Sequence, residues 1–234
     1  MVKIFRRTDV PEVTMHFETF TQIYSYTFQD EIKNDVEFRS YGPNEYILKV
    51  GEAITGFYFL LEGKYFVSSP EITGKELLLR YCQKPAIMGD VEIFQDCSVQ
   101  SNCIAAEACL FLFIPYALYE QHLKSDSAFT QMLLQELAYK LRTCTISSRV
   151  NALSSVSLRL AAYLCTIESP SRFKEYIMTN TLDEVASLIG TTKRHLNRVL
   201  KQWSDEGIVR RKDETIQIIK WSKIEEISEN VRFE

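Results

Sequence analysis

Between residues 37 and 115, apolar positions come in short runs punctuated by glycines at 42, 51, 56, 63, 74 and 89, the pattern of antiparallel strands joined by tight turns. The strand candidates are 46–50, 57–61, 64–67, 77–81 and 109–114. Several are apolar at consecutive positions, so both faces must be covered, which predicts a rolled or double-layered sheet with a filled interior. A helix across 10–28 precedes them. From Asp126 or Ser127 the period changes, and Phe129, Leu133, Leu137, Leu141 and Cys144 form one helical stripe. Met132, Leu134 and Ala138 widen the apolar surface beyond that stripe. A second packing partner is therefore expected, and the same helix of a second subunit meets the need, with Phe129, Leu133, Leu137 and Leu141 as dimerisation residues. The competing arrangement packs the whole surface within one subunit. A fresh amphipathic helix begins near Ser155, where Val156, Leu158, Leu160 and Leu164 alternate with Arg159 and Tyr163. The chain thus divides into 1–125, 126–154 and 155–234.

The stretch 181–207 is the most specific. Leu182, Val185, Ala186 and Ile189 make the stripe of a first short helix, and Thr181 with Glu184 supplies a capping box at its start. Gly190 suits a tight turn, and Thr191 or Thr192 can cap a second helix. There Leu196, Val199, Leu200 and Trp203 repeat the spacing, while Lys193, Arg194, Asn197, Arg198 and Lys201 take the opposite side. Gly207 stops this helix. Residues 208–211 and 215–218 then predict two strands of a wing around a polar turn at 212–214. Such a pair hides one face and offers the other, rich in donors, to phosphates and base edges.

Charge sharpens the picture. Residues 191–212 carry seven Lys or Arg against Asp205 and Glu206, a net +5, although the whole chain of 234 residues is at −4. The part up to residue 154 holds 14 basic and 19 acidic residues, the remainder 13 and 12. A basic patch on an acidic body fits a reading head better than a general polyanion binder. At 46% hydrophobic the chain has material for ordinary cores. It contains no run of apolar residues long enough to span a bilayer, and its first residues lack a signal-peptide apolar stretch. A cytoplasmic protein with its six cysteines reduced is expected. With no G-x-S-x-G, P-loop or H-E-x-x-H, no enzymatic activity is expected. The rival function is a non-DNA regulatory module that binds a small ligand or a protein partner through the sheet domain.

These residues resemble the cyclic-AMP receptor protein and FNR (CRP/FNR) superfamily of bacterial transcription regulators over roughly 37–219. The resemblance is carried by Tyr46-Ile47-Leu48-x-x-Gly51-Glu52, by Phe57-Tyr58-Phe59-Leu60-Leu61-Glu62-Gly63, by the Gly89-Asp90 turn, and by the helix-turn-helix and wing. Within the superfamily, Lys193-Arg194-His195-Leu196-x-x-Val199-Leu200 is similar to the YeiL-like branch. The resemblance implies an α+β chain: an N-terminal antiparallel β-roll like a cyclic-nucleotide-binding jelly roll, a long dimerisation helix and a C-terminal winged helix-turn-helix. It implies a homodimer on a roughly palindromic double-stranded DNA operator, with recognition helices about 34 Å apart, and RNA polymerase as a further partner. The matching recognition positions are Lys193, Arg194, Asn197 and Arg198. Thr191, Thr192, His195, Lys201, Arg211 and Lys212 complete the expected DNA-binding set. Where many relatives carry Glu, this chain has Arg194, whose geometry suits guanine.

The same resemblance places an effector pocket at Gly89, Asp90, Gln100 and Ser101, with Cys144 near where the family's ligand touches the long helix. Cyclic-nucleotide binders of the superfamily have Arg-Ser where this chain has Gln100-Ser101. From residue 85 to 108 there is no Lys or Arg, while Asp90, Glu92, Asp96 and Glu107 are acidic. Cyclic AMP is therefore disfavoured, and no cofactor is expected; the effector stays unknown. Cys97, Cys103 and Cys109 lie six residues apart, and 103 and 109 would share a face on one extended strand. An iron–sulfur or thiol-switch role competes there with buried cysteine as a small apolar residue, the expected reading. No metal is expected, and His16 and His122 lack metal-ligand spacing.

Overall fold

The computed structural model describes residues 3–6, 11–70, 76–167, 176–178, 182–212 and 215–232. Its N-terminal elements are β1 (Lys3–Arg6), α1 (Pro11–Tyr24), α2 (Asp30–Lys33), β2 (Glu37–Tyr41), β3 (Tyr46–Leu48), β4 (Gly56–Glu62), β5 (Tyr65–Pro70), β6 (Glu76–Cys82), β7 (Ile87–Met88), α3 (Asp90–Gln95), β8 (Asn102–Ala105) and β9 (Cys109–Pro115). One sheet runs β1-β2-β9-β4-β7 and another β3-β8-β5-β6. The pairings β1·β2, β2·β9, β4·β9, β4·β7 and β3·β8 are all antiparallel.

β4 explains the consecutive apolar residues. Side chains alternate across a strand, so Phe57, Phe59 and Leu61 enter one core with Phe20, Phe38, Leu112, Phe129 and Leu133. Tyr58 and Leu60 enter the other with Tyr41, Tyr65, Met88, Cys103, Cys109, Phe111 and Phe113. Aromatic edges stabilise the first core: Phe20 meets Phe59 edge-on at 5.4 Å, and Phe57 meets Phe129 at 6.1 Å. The aromatic group of β4 and β5 is thus largely packing.

The long helix α5 (Ser127–Leu153) follows the short α4 (Tyr116–Leu118) and a π-helical turn, Tyr119–Leu123. Asp126 caps it, accepting the Ala128 and Phe129 amides at 2.9 and 3.1 Å, while the Tyr26 hydroxyl donates to its other oxygen at 2.6 Å. That phenol hydrogen bond is the main reason the Asp126 carboxyl stays below its usual range. Along α5 the inner stripe continues as Phe129, Met132, Leu133, Glu136 and Lys140. The Lys140 ammonium reaches Ile87 O at 2.6 Å and the Asp90 carboxylate. Asp90 is only 1% exposed, so this pair is nearly dry.

Several expectations need correction. Phe129 and Leu133 lie within the unit's own core, not on a face open to a partner. The exposed apolar row is Leu134 (60%), Ala138 and Leu141 (71%), with Leu137 half-buried. The period of the stripe is correct, but its centre faces the sheets, because a helix with apolar residues on two sides gives its larger aromatic side to the nearer core. The first helix ends at Tyr24 instead of reaching 28, since Ser25 turns left-handed at φ 54°; Val10 lies outside the described residues. Strands β2 and β8 carry polar residues in their runs and were not among the candidates.

By compactness the chain forms two units, residues 1–67 with 82–142, and residues 68–81 with 143–234. This differs from a division at 125 and 154: the boundary falls inside α5, and most of β6 groups with the C-terminal half. That half contains α6 (Val156–Ile167), β10 (Tyr176–Met178), α7 (Leu182–Leu188), α8 (Lys193–Asp205), β11 (Val209–Lys212), β12 (Thr215–Ile218) and α9 (Trp221–Ser228). The Ser155 hydroxyl caps α6 by accepting the Leu158 amide at 3.1 Å, as the fresh start near 155 predicts. β10, β12 and β11 form an antiparallel sheet.

Removing one member of a dry ion pair leaves the other charged and unsolvated. Lys140→Met should lower the unfolding free energy by about 3 kcal/mol, and adding Asp90→Asn in the same chain should recover part of the loss. Urea unfolding of the three proteins measures both steps; equal stability of wild type and Lys140→Met would show the pair to be dispensable.

Candidate nucleic-acid interface

α7 and α8 meet through a turn built by backbone geometry. Gly190 has φ +63°, a conformation costly for a side chain bearing Cβ, and the Thr191 amide closes the turn on Ala186 O at 2.8 Å. Thr192 then caps α8, its hydroxyl accepting the His195 amide at 3.3 Å. Arg159 of α6 holds the turn from below, donating from Nη1 to Ile189 O at 2.8 Å and Gly190 O at 2.9 Å. The Thr181 cap expected for α7 lies outside the described residues.

The inner face of α8 is fixed by Leu196, Leu200 and Trp203, all buried, with Val199 half-buried. Trp203 is 1% exposed, and its indole N–H donates to Ser157 Oγ at 3.2 Å. Facing them across the turn are Leu182, Val185, Ala186 and Ile189 of the first helix stripe, also buried. On the outer face Lys193, Arg194, His195, Asn197, Arg198 and Lys201 are exposed, Thr192 is exposed and Thr191 half-buried. The helix ends at Asp205, where Gly207 takes φ +65° and the Ile208 amide returns to Trp203 O at 2.8 Å.

The wing forms as β11 and β12, paired from Val209↔Ile218 to Lys212↔Thr215. Arg210, Arg211 and Lys212 are exposed on it. Lys212 belongs to the strand, not to the turn expected at 212–214; residues 213 and 214 lie outside the described residues. The pattern missed one acidic neighbour, since Lys193 makes a 2.6 Å ion pair with Asp183 at the start of α7. Both members are exposed, so solvent and salt weaken the pair, and an incoming phosphate can compete for the ammonium. Asp183 precedes Glu184 in plain sight, but only the helix crossing brings it to Lys193, ten residues away.

The expected effector residues are placed less uniformly. Gly89 has φ +93° and leads into α3 at Asp90. The Asp90 carboxylate lies beside Lys140, a residue outside the 85–108 window, so the turn does have a cation, already engaged by Asp90 and Ile87 O. Burial, with the nearby Asp90 charge adding to it, raises the Glu92 carboxyl above its usual range. Gln100 is exposed, its amide donating to Ser98 O at 2.8 Å, and Ser101 is half-buried. Cys144 is exposed and belongs to the other compact unit. Lys140 could have been found in the sequence as the i+4 continuation of Phe129, Met132 and Glu136.

Among the cysteines, Cys103 and Cys109 fall on different strands, β8 and β9, and both are buried in the same core, correcting the single shared strand. Burial pushes the Cys109 thiol up to about 12, and it hydrogen-bonds to Lys64 O at 3.1 Å. A thiol held neutral in this way is a poor thiolate ligand. Among the described residues no group of three His, Cys, Asp or Glu could hold a metal, and no helix is long and apolar enough to cross a membrane.

Comparison with known proteins fits this geometry. Residues 38–126 match the family described as cyclic nucleotide-binding domain, and residues 158–227 match the Crp-like helix-turn-helix domain. The cAMP-activated global transcriptional regulator CRP of Haemophilus influenzae is 22% identical over 183 residues, covering 76% of this chain and 82% of the relative. Regulatory protein YeiL of Escherichia coli O157:H7 is 22% identical over 182 residues, covering 78% and 81%. Two solved structures share the fold. A CRP/FNR-family transcriptional regulator from Thermus thermophilus has a TM-score of 0.68 at 22% identity, covering 82% of this chain and 98% of that one. A crp/fnr-family regulator from Eubacterium rectale has 0.76 at 14% identity, covering 92% and 100%. With a cyclic-nucleotide-binding fold followed by a Crp-like helix-turn-helix, in that order, the chain belongs to the CRP/FNR superfamily of bacterial transcription regulators.

Proposed function

We propose that the protein is a cytoplasmic homodimer that reads a roughly palindromic operator through α8, and that its β-roll does not take a cyclic nucleotide. The observation that carries this reading is the division of α8 into a buried apolar face and an exposed face of Lys, Arg and Asn. Such a face supplies charge-assisted donors to phosphates and bidentate donors to base edges at once. Arg194 is assigned to guanine O6 and N7, Lys201 to the phosphate backbone. Arg198, Asn197, His195, Arg211 and Lys212 contribute further donors.

The dimer is supported by the exposed row Leu134, Ala138 and Leu141 on α5, apolar surface that water solvates poorly and that a second α5 would cover as an isologous seam. The exclusion of cyclic nucleotide is supported by Gln100 in place of the family's arginine. Lys140, the cation beside the Gly89-Asp90 turn, is already paired, so a phosphate there would have to break a dry ion pair and face Asp90 and Glu92. A signal, if one acts, biases the packing of the paired helices and hence the spacing of the heads. RNA polymerase is the expected further partner once the protein is on DNA.

Binding to a matched operator, selected by the wild-type protein from a random pool, and to its scrambled version tests the reading head. Arg194→Ala should lose about 1–3 kcal/mol of discrimination, whereas Lys201→Ala should weaken both duplexes alike and lower the salt slope by about one. Equal losses on every sequence for both variants contradict the assignment. In sedimentation, Leu134→Asp/Leu141→Asp should convert a dimer to a monomer and abolish operator binding; a dimer that survives rejects the α5 seam. Calorimetric titration with cyclic AMP should show no heat of binding at micromolar concentration, and a saturable isotherm there overturns the exclusion.

A further inference from the structure

The α7–α8 turn is held from two sides. From α6, Arg159 donates to the carbonyls of Ile189 and Gly190. These two acceptors sit just past the end of α7, where helical carbonyls lack partners in their own helix. From β6, Leu77 Cδ1 lies 3.6 Å from the place a Cβ on Gly190 would occupy, and Arg159 Nη1 lies 3.3 Å from it. The space beside Gly190 is therefore bordered by a strand whose sequence falls inside the cyclic nucleotide-binding match, residues 38–126.

Two more contacts seat the same strand. The hydroxyls of Tyr81 and Tyr163 are hydrogen-bonded to each other in a largely buried setting, and Tyr163 lies one helical turn beyond Arg159 on α6. Arg80 donates to Thr143 Oγ1 at 3.4 Å, both buried. All these residues belong to one compact unit. β6 thus meets α6 at Tyr81 and comes near the turn at Leu77, while Arg159, on the same helix as Tyr163, holds the turn carbonyls.

We infer that Arg159 is a positioning residue for DNA reading and that β6, through Leu77 and Tyr81, is part of the same clamp, so that the pose of α8 depends on a strand of sensor sequence. This rests on the proposal that α8 reads DNA. A displacement of β6 shifts Leu77 and Tyr81, and the turn carbonyls, fixed by one guanidinium, transmit the shift to the Thr192 cap and to Arg194. Base contacts need tighter placement than phosphate contacts, so a loosened clamp lowers discrimination before it lowers general affinity.

The test uses the full chain and the variants Leu77→Ala, Tyr81→Phe and Arg159→Lys, none of which removes a group facing DNA. Affinity is measured for the selected operator and its scrambled version, and amide hydrogen exchange is followed at residues 189–192. Each variant should lose about three- to tenfold in operator affinity, the scale of one net hydrogen bond or small packing defect, with scrambled DNA bound as before. Exchange at the turn should quicken, least for Arg159→Lys, which keeps a donor for one carbonyl. Unchanged discrimination together with unchanged exchange in Leu77→Ala and Tyr81→Phe overturns the clamp. A wild-type protein that binds both duplexes equally sinks the reading-head proposal instead, and exchange at 189–192 still decides whether β6 holds the turn.

Discussion

The burial of Trp203 against α6 is the constraint on which the reading surface depends. An indole at 1% exposure with its N–H satisfied by Ser157 fixes the rotation of α8 about its axis. Leu196 and Leu200 repeat that constraint earlier in the helix. Once the inner face is set, a helix of 3.6 residues per turn has no freedom over where Arg194, Asn197, Arg198 and Lys201 point. The outward direction of the cations is therefore a consequence of apolar packing.

The first unit obeys a similar rule with a different element. β4 is the wall shared by two cores, and its alternation sends Phe57, Phe59 and Leu61 one way and Tyr58 and Leu60 the other. Because β9 pairs with it along most of its length, the two cores are bound to a single register, and slipping by one residue would exchange their contents. One polar exception is the pairing of Asp90 with Lys140 where α5 approaches the Gly89 turn. Pairing a carboxylate with an ammonium in a dry setting adds little stability over an apolar pair, but it penalises any arrangement that separates them. It acts as a specification of where α5 must lie.

Much of this was legible in the chain. The helix starts at Asp126 or Ser127, near Ser155 and at Thr191 or Thr192, the turn at Gly190, the stop at Gly207 and the two stripes of the helix-turn-helix follow from local rules of hydrogen bonding and periodicity, and the structure chose Asp126 and Thr192 as the caps. The strands at 57–61 and 109–114 follow from runs too apolar to be left wet. Other features were not legible for a physical reason. β2 and β8 escape a hydrophobic reading because pairing with strands distant in sequence, not their own pattern, makes them strands. The α5 stripe gave the correct period but an incorrect outer face, since periodicity alone cannot tell which of two apolar sides meets the nearer core.

The sequence by itself determined the local elements, the two-faced recognition helix and the concentration of positive charge on it, because these depend on residues within a few positions of one another. Tertiary structure alone decided that Lys140 meets Asp90, that Lys193 meets Asp183, that Leu134 and Leu141 remain exposed while Phe129 and Leu133 do not, and that Leu77 of β6 borders the space beside Gly190. Those outcomes join residues far apart along the chain, and only the packing of whole elements fixes which side chains come within a few ångströms of each other.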